Sequence, residues 1–243
     1  MVDSKDFVKI MDIPFLNKRK KDALHHYIFP RLNKQQKCFI VTGNPEIVMK
    51  TREDPTYKQI VLSADYVIPD GAGILLAAKH IKEPIPERVS GLDVMMDLLS
   101  FAEVQGLRCF FLGAKDYVNE KAVLEAERKY PNLKIAGHHH GYFELEDPAI
   151  VKKVKDSNPD IIFVALGLPR QEEWISKHID EFSKGLFMGV GGSFDVLAGN
   201  VKRAPDWIIK LNLEWLYRLI KQPYRLKRII KVFEFIFRFY LKK

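Results

Sequence analysis

The sequence predicts an α/β protein: a Rossmann-like, mostly parallel sheet with helices on both faces, plus a helical appendage at the C-terminus. Three observations carry this reading. Short apolar runs alternate with stretches of helical periodicity through residues 1–200, as in a doubly wound sheet. Most runs close on turn residues, as at Gly43-Asn44-Pro45, Pro69-Asp70-Gly71, Gly113-Ala114-Lys115 and Gly191-Gly192-Ser193. The chain then changes character, since residues 201–243 hold 12 Lys/Arg and 3 Asp/Glu whereas residues 1–200 hold 27 and 28. A neutral α/β core over residues 1–200 and a basic helical tail over 201–243 are therefore expected.

In chain order, Phe7–Leu16 contains a strand-like stretch, and Asn17 is placed to cap a helix reaching about Asn33. Its basic run, Lys18–Lys21, reads as a solvated face. Cys38–Thr42 is a strand whose end presents Thr42 and Asn44. Ordinary turn and cap chemistry also accounts for that pair. One helix is predicted from about Glu46 to Ala64. Tyr66–Ile68 then ends a buried strand at Pro69, and Asp70 follows, with Gly71 and Gly73 letting the backbone turn. Ligands of open α/β sheets bind beyond the carboxyl ends of strands, so Asp70 is a candidate general base. The alternative is a cap for the helix over Ile74–His80. The proline-rich loop Glu83–Ser90 presents Arg88, a surface arginine or a phosphate clamp, ahead of a helix over Leu92–Val104.

Arg108–Leu112 is a strand closing on Gly113. This lone glycine turn is not a G-x-G-x-x-G fingerprint, so the dinucleotide signal is weak. A helix over Val118–Lys129 and a short strand at Leu133–Ala136 precede G-H-H-H-G-Y-F. Consecutive histidines cannot all face one way on an extended chain, and no acid or cysteine cluster accompanies them, which argues against a metal. Tyr142 suits either base stacking or core packing. Asp147–Asp156 is a helix and Asp160–Leu166 the most continuous strand. Gly167–Glu172 turns into a helix carrying Gln171 and Trp174. After the strand Phe187–Val190, the backbone N–H groups of Gly191, Gly192 and Ser193 suit a diphosphate at a helix start. Asp195, one turn in, is a dipole partner or an acceptor for ribose hydroxyls.

Hydrophobic content of 47% and charge of 29% fit a globular protein. Cys38 and Cys109 open apolar runs with no metal or redox spacing, as reduced core residues of a cytoplasmic protein do. The N-terminus has no apolar signal-peptide core, and no apolar run is long enough to span a membrane. The tail reads as two amphipathic helices, Pro205–Gln222 and Tyr224–Lys243, separated by Pro223. In the first, Trp207, Ile208, Leu211 and Trp215 offer a homodimer surface. In the second, Ile229, Phe233, Ile236, Phe237 and Tyr240 share one face, opposite Lys227, Lys231, Glu234, Arg238 and Lys242. That suits an anionic membrane surface; a hairpin docked on the body or on a second subunit is the alternative. Nucleic acid is not expected, because the tail is too apolar for a phosphate-binding arm.

Four motifs together resemble the WecG/TagA/CpsF glycosyltransferases (glycosyltransferase family 26). They are P-D-G-A-G at Pro69–Gly73, E-R-V-S-G-L-D at Glu87–Asp93, L-G-L-P-R-Q-E-E-W-I at Leu166–Ile175, and G-V-G-G-S-F-D-V-L-A-G at Gly189–Gly199 followed by R-A-P at Arg203–Pro205. They occur in the family's order over nearly the whole chain. The resemblance implies an inverting transfer of N-acetylmannosamine from UDP to the 4-hydroxyl of a GlcNAc carried on undecaprenyl diphosphate. The product would be the β-1,4 disaccharide lipid that begins wall teichoic acid linkage. It implies Asp70 as the base, with Thr42, Asn44, Arg88 and Gln171 as polar positions beside it. Tyr142 would stack on uracil and Asp195 would hold nucleoside hydroxyls, with Gly113, Gly191 and Gly192 near the nucleotide sugar. The implied partners are a UDP-sugar donor, a polyprenyl-diphosphate acceptor and the inner face of the cell membrane, where the protein would sit peripherally.

No D-x-D motif occurs, so no metal or other cofactor is expected. Backbone N–H groups and arginines would meet the diphosphate instead. The tail's Arg218, Arg225 and Arg228 are the expected arginines, brought over the site when the tail docks on the membrane. Relatives that transfer other sugars, such as the uronic acid, leave the donor open. An NAD-dependent oxidoreductase would need the fingerprint this chain lacks. A non-catalytic nucleotide- or membrane-binding module would leave the four motifs unexplained.

Overall fold

The computed structural model describes residues 6–210, 214–221 and 226–241. Eight strands form one sheet: β1 (Phe7–Ile10), β2 (Ile13–Leu16), β3 (Cys38–Gly43), β4 (Tyr66–Pro69), β5 (Arg108–Gly113), β6 (Lys134–His139), β7 (Ile161–Ala165) and β8 (Leu186–Gly189). Their order across the sheet is β1-β2-β4-β3-β8-β7-β5-β6. All pairings are parallel except β1 with β2. The inner strands β3, β7 and β8 are buried along their whole length, because helices cover both faces. Alternate residues feed two cores: Cys38 and Ile40 of β3 join one, Phe39 and Val41 the other.

On the first face lie α1 (Lys20–Asp22), a π-helical turn (Ala23–Ile28), α2 (Phe29–Asn33), α6 (Gly91–Gln105), α7 (Asp116–Lys129) and α10 (Ser193–Leu197). On the second lie α3 (Pro45–Glu53), α4 (Pro55–Leu62), α5 (Ala72–His80), α8 (Pro148–Asp156) and α9 (Arg170–His178). The tail contributes α11 (Asp206–Lys210), α12 (Glu214–Lys221) and α13 (Leu226–Leu241). No helix among the described residues is long and apolar enough to cross a membrane.

Several elements differ from their sequence reading, among them β6, which runs on through His139. The stretch Phe7–Leu16 is a hairpin, turned at Met11 and Asp12 with φ of 47° and 70°. A left-handed turn without glycine leaves no signal in the sequence. The helix expected over Glu46–Ala64 is two, because Pro55 lacks the N–H that would continue α3, and the Asp54 carboxylate caps α4 by accepting from Tyr57 N at 3.0 Å. The first long helix starts at Lys20 rather than Asn17 and widens into the π-helical turn.

The tail is docked on the body. α13 lies across α3 and α5, with Phe235 fully buried in the second core, where its burial is worth about 1.5–3 kcal/mol. Phe239 stacks on Phe235 and meets His80 edge-on, and Lys231 pairs with Glu53 of α3. Ile236 packs with them, whereas Phe233 and Phe237 face outward with Leu226 and Ile230. The single apolar face read from the sequence is thus two: one docked, one exposed. The side chains of Ile229 and Tyr240 lie outside the described residues, as do Leu211 and the link between α11 and α12.

Candidate active site

A cavity of about 400 Å³ opens at the carboxyl ends of β3, β4, β7 and β8. It is lined at the starts of α3, α5, α6, α9 and α10, and it is closed on its outer side by α12 and α13. Several helix amino ends face this space, together with the guanidinium of Arg88 and the carboxylates of Glu46, Asp70 and Glu214.

Asp70 sits on its wall, directly after β4. Its two carboxylate oxygens are held separately. Oδ2 accepts from Gly91 N, the first residue of α6, at 3.0 Å, and Oδ1 accepts from Arg88 Nε at 3.2 Å. Glycine at position 91 is a matter of room, since a Cβ there would stand 2.8 Å from Thr42 Cγ2 and 3.4 Å from Asp70 Oδ2. Asp70 therefore leans on the positive end of a four-turn helix and does not cap α5, which starts behind it at Gly71 (φ 134°) with no side-chain cap. The cap expected on α5 is thus replaced by a contact with the start of α6.

Arg88 is a bridge. Its Nη2 donates to Glu214 Oε2 of α12 at 2.6 Å while its Nε holds Asp70. Burial works against its charge, but Asp70 and Glu214 more than offset this and hold the guanidinium more firmly protonated than usual. Sequence reasoning missed Glu214. The available signal was a lone acid among the bases of the tail, the only one between Asp206 and Glu234.

Thr42 and Asn44 line the cavity at the end of β3. The Thr42 hydroxyl donates to Gly189 O at 3.1 Å, fastening β3 to β8. Asn44 caps α3, its Oδ1 accepting from Ile47 N at 3.0 Å, which leaves its amide NH₂ to offer a ligand. Gln171 is buried at the start of α9. Its Oε1 accepts from Gly191 N at 3.0 Å and its Nε2 donates to Glu172 Oε1 at 2.7 Å. The diphosphate cradle read at Gly191–Ser193 changes accordingly. Gly191 N serves Gln171 and Ser193 N serves Val190 O, leaving Gly192 N to the cavity, and α10 is a single short turn.

Glu172 is the second residue that the sequence did not single out. It is fully buried between α4 and α9, and burial pushes its carboxyl up to about 7 despite the hydrogen bond from Gln171. The buried Tyr57 hydroxyl lies near this carboxylate, and among the described residues neither that hydroxyl nor Glu172 Oε2 has a hydrogen-bond partner.

The remaining candidates do not line this cavity. Gly113 ends β5 with φ 119° and is packed so closely that a Cβ would stand 2.5 Å from the Ala165 carbonyl group. Its need for glycine is met by the close approach of β7. Buried Asn119 ties the ends of β5 and β6 together, donating to the carbonyls of Phe111, Gly113 and His139. Above them Tyr142 is 68% exposed, its ring open for stacking. Asp195 lies on α10 and is half-buried. The three histidines are spent locally: His138 pairs with Asn119, His139 with His140 O, and His140 with Tyr142 N. Among the described residues, no group of three or more His, Cys, Asp or Glu side chains is arranged to hold a metal ion. Arg225 and the side chains of Arg218 and Arg228 lie outside the described residues.

The site can be set beside known proteins. The model of the Glycosyl transferase WecG/TagA/CpsF family matches residues 8–243. An N-acetylglucosaminyldiphosphoundecaprenol N-acetyl-beta-D-mannosaminyltransferase of Staphylococcus aureus (strain MW2) is 42% identical over 200 residues, covering 82% of this chain and 78% of its own. The protein of the same description from Bacillus spizizenii is 36% identical over 227 residues, covering 93% and 88%. With Asp70, Arg88 and Gln171 on one cavity wall and a match running through the docked tail, the chain belongs to the WecG/TagA/CpsF family of glycosyltransferases.

Proposed function

We propose that this protein moves N-acetylmannosamine from UDP-N-acetylmannosamine to the 4-hydroxyl of GlcNAc on a polyprenyl diphosphate, with inversion at the anomeric carbon. The relatives' descriptions supply the acceptor class and the transferred sugar. The observation that carries the chemistry is Asp70, held at both oxygens on the wall of a cavity rimmed by helix amino ends.

A single displacement needs a base on the acceptor side and relief of charge on the leaving side. Asp70 takes the proton of the acceptor hydroxyl as its oxygen bonds to the anomeric carbon. The bond from that carbon to the UDP oxygen breaks, and UDP leaves with the electron pair. The hydrogen bonds from Gly91 N and Arg88 keep Asp70 aimed, and each oxygen retains a lone pair for the acceptor. Arg88, Gly192 N and the helix ends stabilise the charge growing on the diphosphate, so turnover without added metal is expected. We assign the uracil to the Tyr142 ring, which is exposed, and the ribose to Asp195.

The exposed apolar stripe Leu226, Ile230, Phe233 and Phe237, continued by Trp215 and Ile220 on α12, supports a peripheral position on an anionic membrane. The test is UDP release from UDP-N-acetylmannosamine with a GlcNAc-diphosphate-lipid, with EDTA present, for wild type and Asp70→Asn. Acceptor-dependent release that falls by roughly 10²-fold or more in the variant is expected. Full activity of Asp70→Asn would remove Asp70 as base.

A further inference from the structure

The cavity is chemically divided. One wall carries Asp70, Arg88 and Gln171; the other carries Leu76 of α5, Trp215 of α12, and Phe233 and Ile236 of α13. A hexose and a diphosphate have no use for the second wall. Its large apolar side chains are also left open at the mouth: Leu76 is 48% exposed, Phe233 59% and Trp215 38%. Trp215 and Phe233 meet edge-on with ring centroids 6.2 Å apart, and Leu76 lines the same cavity.

We propose that this apolar wall is a groove for the first isoprene units of the acceptor, running outward from the diphosphate position between α5 and the α12–α13 pair. The proposal rests on the acceptor class given above and adds where its hydrocarbon goes. The occupant is argued from continuity. The wall belongs to the same cavity as Asp70, so whatever lies on it is joined to whatever reacts there. A second copy of this chain or a flat bilayer would cover the mouth but would not enter the cleft. An isoprenoid attached to a diphosphate meets both halves at once. Outside the cleft, Phe237 and Ile230 continue the apolar path along α13.

Calorimetric titration of the full chain tests this with two probes, methyl diphosphate and farnesyl diphosphate. Farnesyl diphosphate should bind wild type at least roughly tenfold tighter, since burying even a few methylene groups suffices. In Leu76→Ser and in Phe233→Ser that advantage should disappear, while methyl diphosphate binds within about twofold of wild type. Both positions are solvent-facing, and an unchanged melting curve confirms that each variant is folded. Equal affinities of the two probes for wild type would overturn the groove. So would variants that keep the farnesyl advantage but lose self-association or vesicle binding, because the wall would then belong to a dimer or to the bilayer surface. Absence of sugar transfer by the wild type, with the farnesyl advantage intact, would sink the transferase reading and leave the groove standing.

Discussion

Replacing Glu172 by Gln should stabilise the protein at neutral and alkaline pH and have little effect in acid. The carboxyl has an ordinary value of 4.5 and is pushed up to about 7 by burial. Between those values the folded chain holds a proton that the unfolded chain has lost, so stability falls as pH rises. Below 4.5 both states are protonated and the cost is absent; above 7 it is fully present. A rise of this size corresponds to about 3 kcal/mol. For a chain of this length that is roughly 6–12 °C in Tm. The substituted glutamine retains an oxygen for Gln171 Nε2 and brings an NH₂ towards the Tyr57 hydroxyl, which lacks a partner in the wild type. The assay is a set of paired melting curves from pH 5 to 8.5, in which groups common to both proteins cancel in the difference. The gap should widen up to about pH 7 and then level off. A gap independent of pH, or a wild type more stable than the variant at pH 8, would refute the buried-charge argument.

Other outcomes follow from the same contacts. Glu214→Ala removes one partner of a buried arginine, and should cost roughly 3–5 kcal/mol within the tail contact and speed proteolysis beyond Ala204, as read by limited digestion. Gly91→Ala presses a methyl group against Thr42 and should cost about 1–3 kcal/mol by denaturant melt while reducing kcat, since Asp70 shares that space. Phe235→Ala should lose about 3–5 kcal/mol of α13 docking, seen as hydrogen exchange rising in residues 226–241 while β3, β7 and β8 stay protected.

Much of the architecture was legible in the sequence because the inner strands are unbroken apolar runs bounded by turn residues. Cys38–Gly43 and Ile161–Ala165 could hardly be anything else. What escaped notice has local causes. The Met11–Asp12 turn uses left-handed residues that are not glycine, and Asp54-Pro55 divides a helix whose apolar spacing continues across the break. The polar residues of the cavity were visible because they follow strand ends. Their hydrogen-bond obligations were not: that Thr42 serves Gly189, or that Gln171 occupies the Gly191 amide, depends on β3, β8 and α9 meeting far apart in the chain. Glu172 and Glu214 were hidden for the same reason, since nothing in a sequence says that an acid will be buried or which arginine it will find.

The two apolar faces of α13 have a consequence for orientation. With Phe235 locked into the body, the helix cannot roll, so the direction in which Phe233 and Phe237 point is rigidly tied to the direction in which the cavity opens. On the peripheral placement proposed above, contact through that stripe would fix the tilt and set the mouth at the interfacial plane. The encounter with a lipid-borne acceptor would then be lateral diffusion in two dimensions, its rate following the number of acceptors per unit of membrane area instead of their concentration in the bulk.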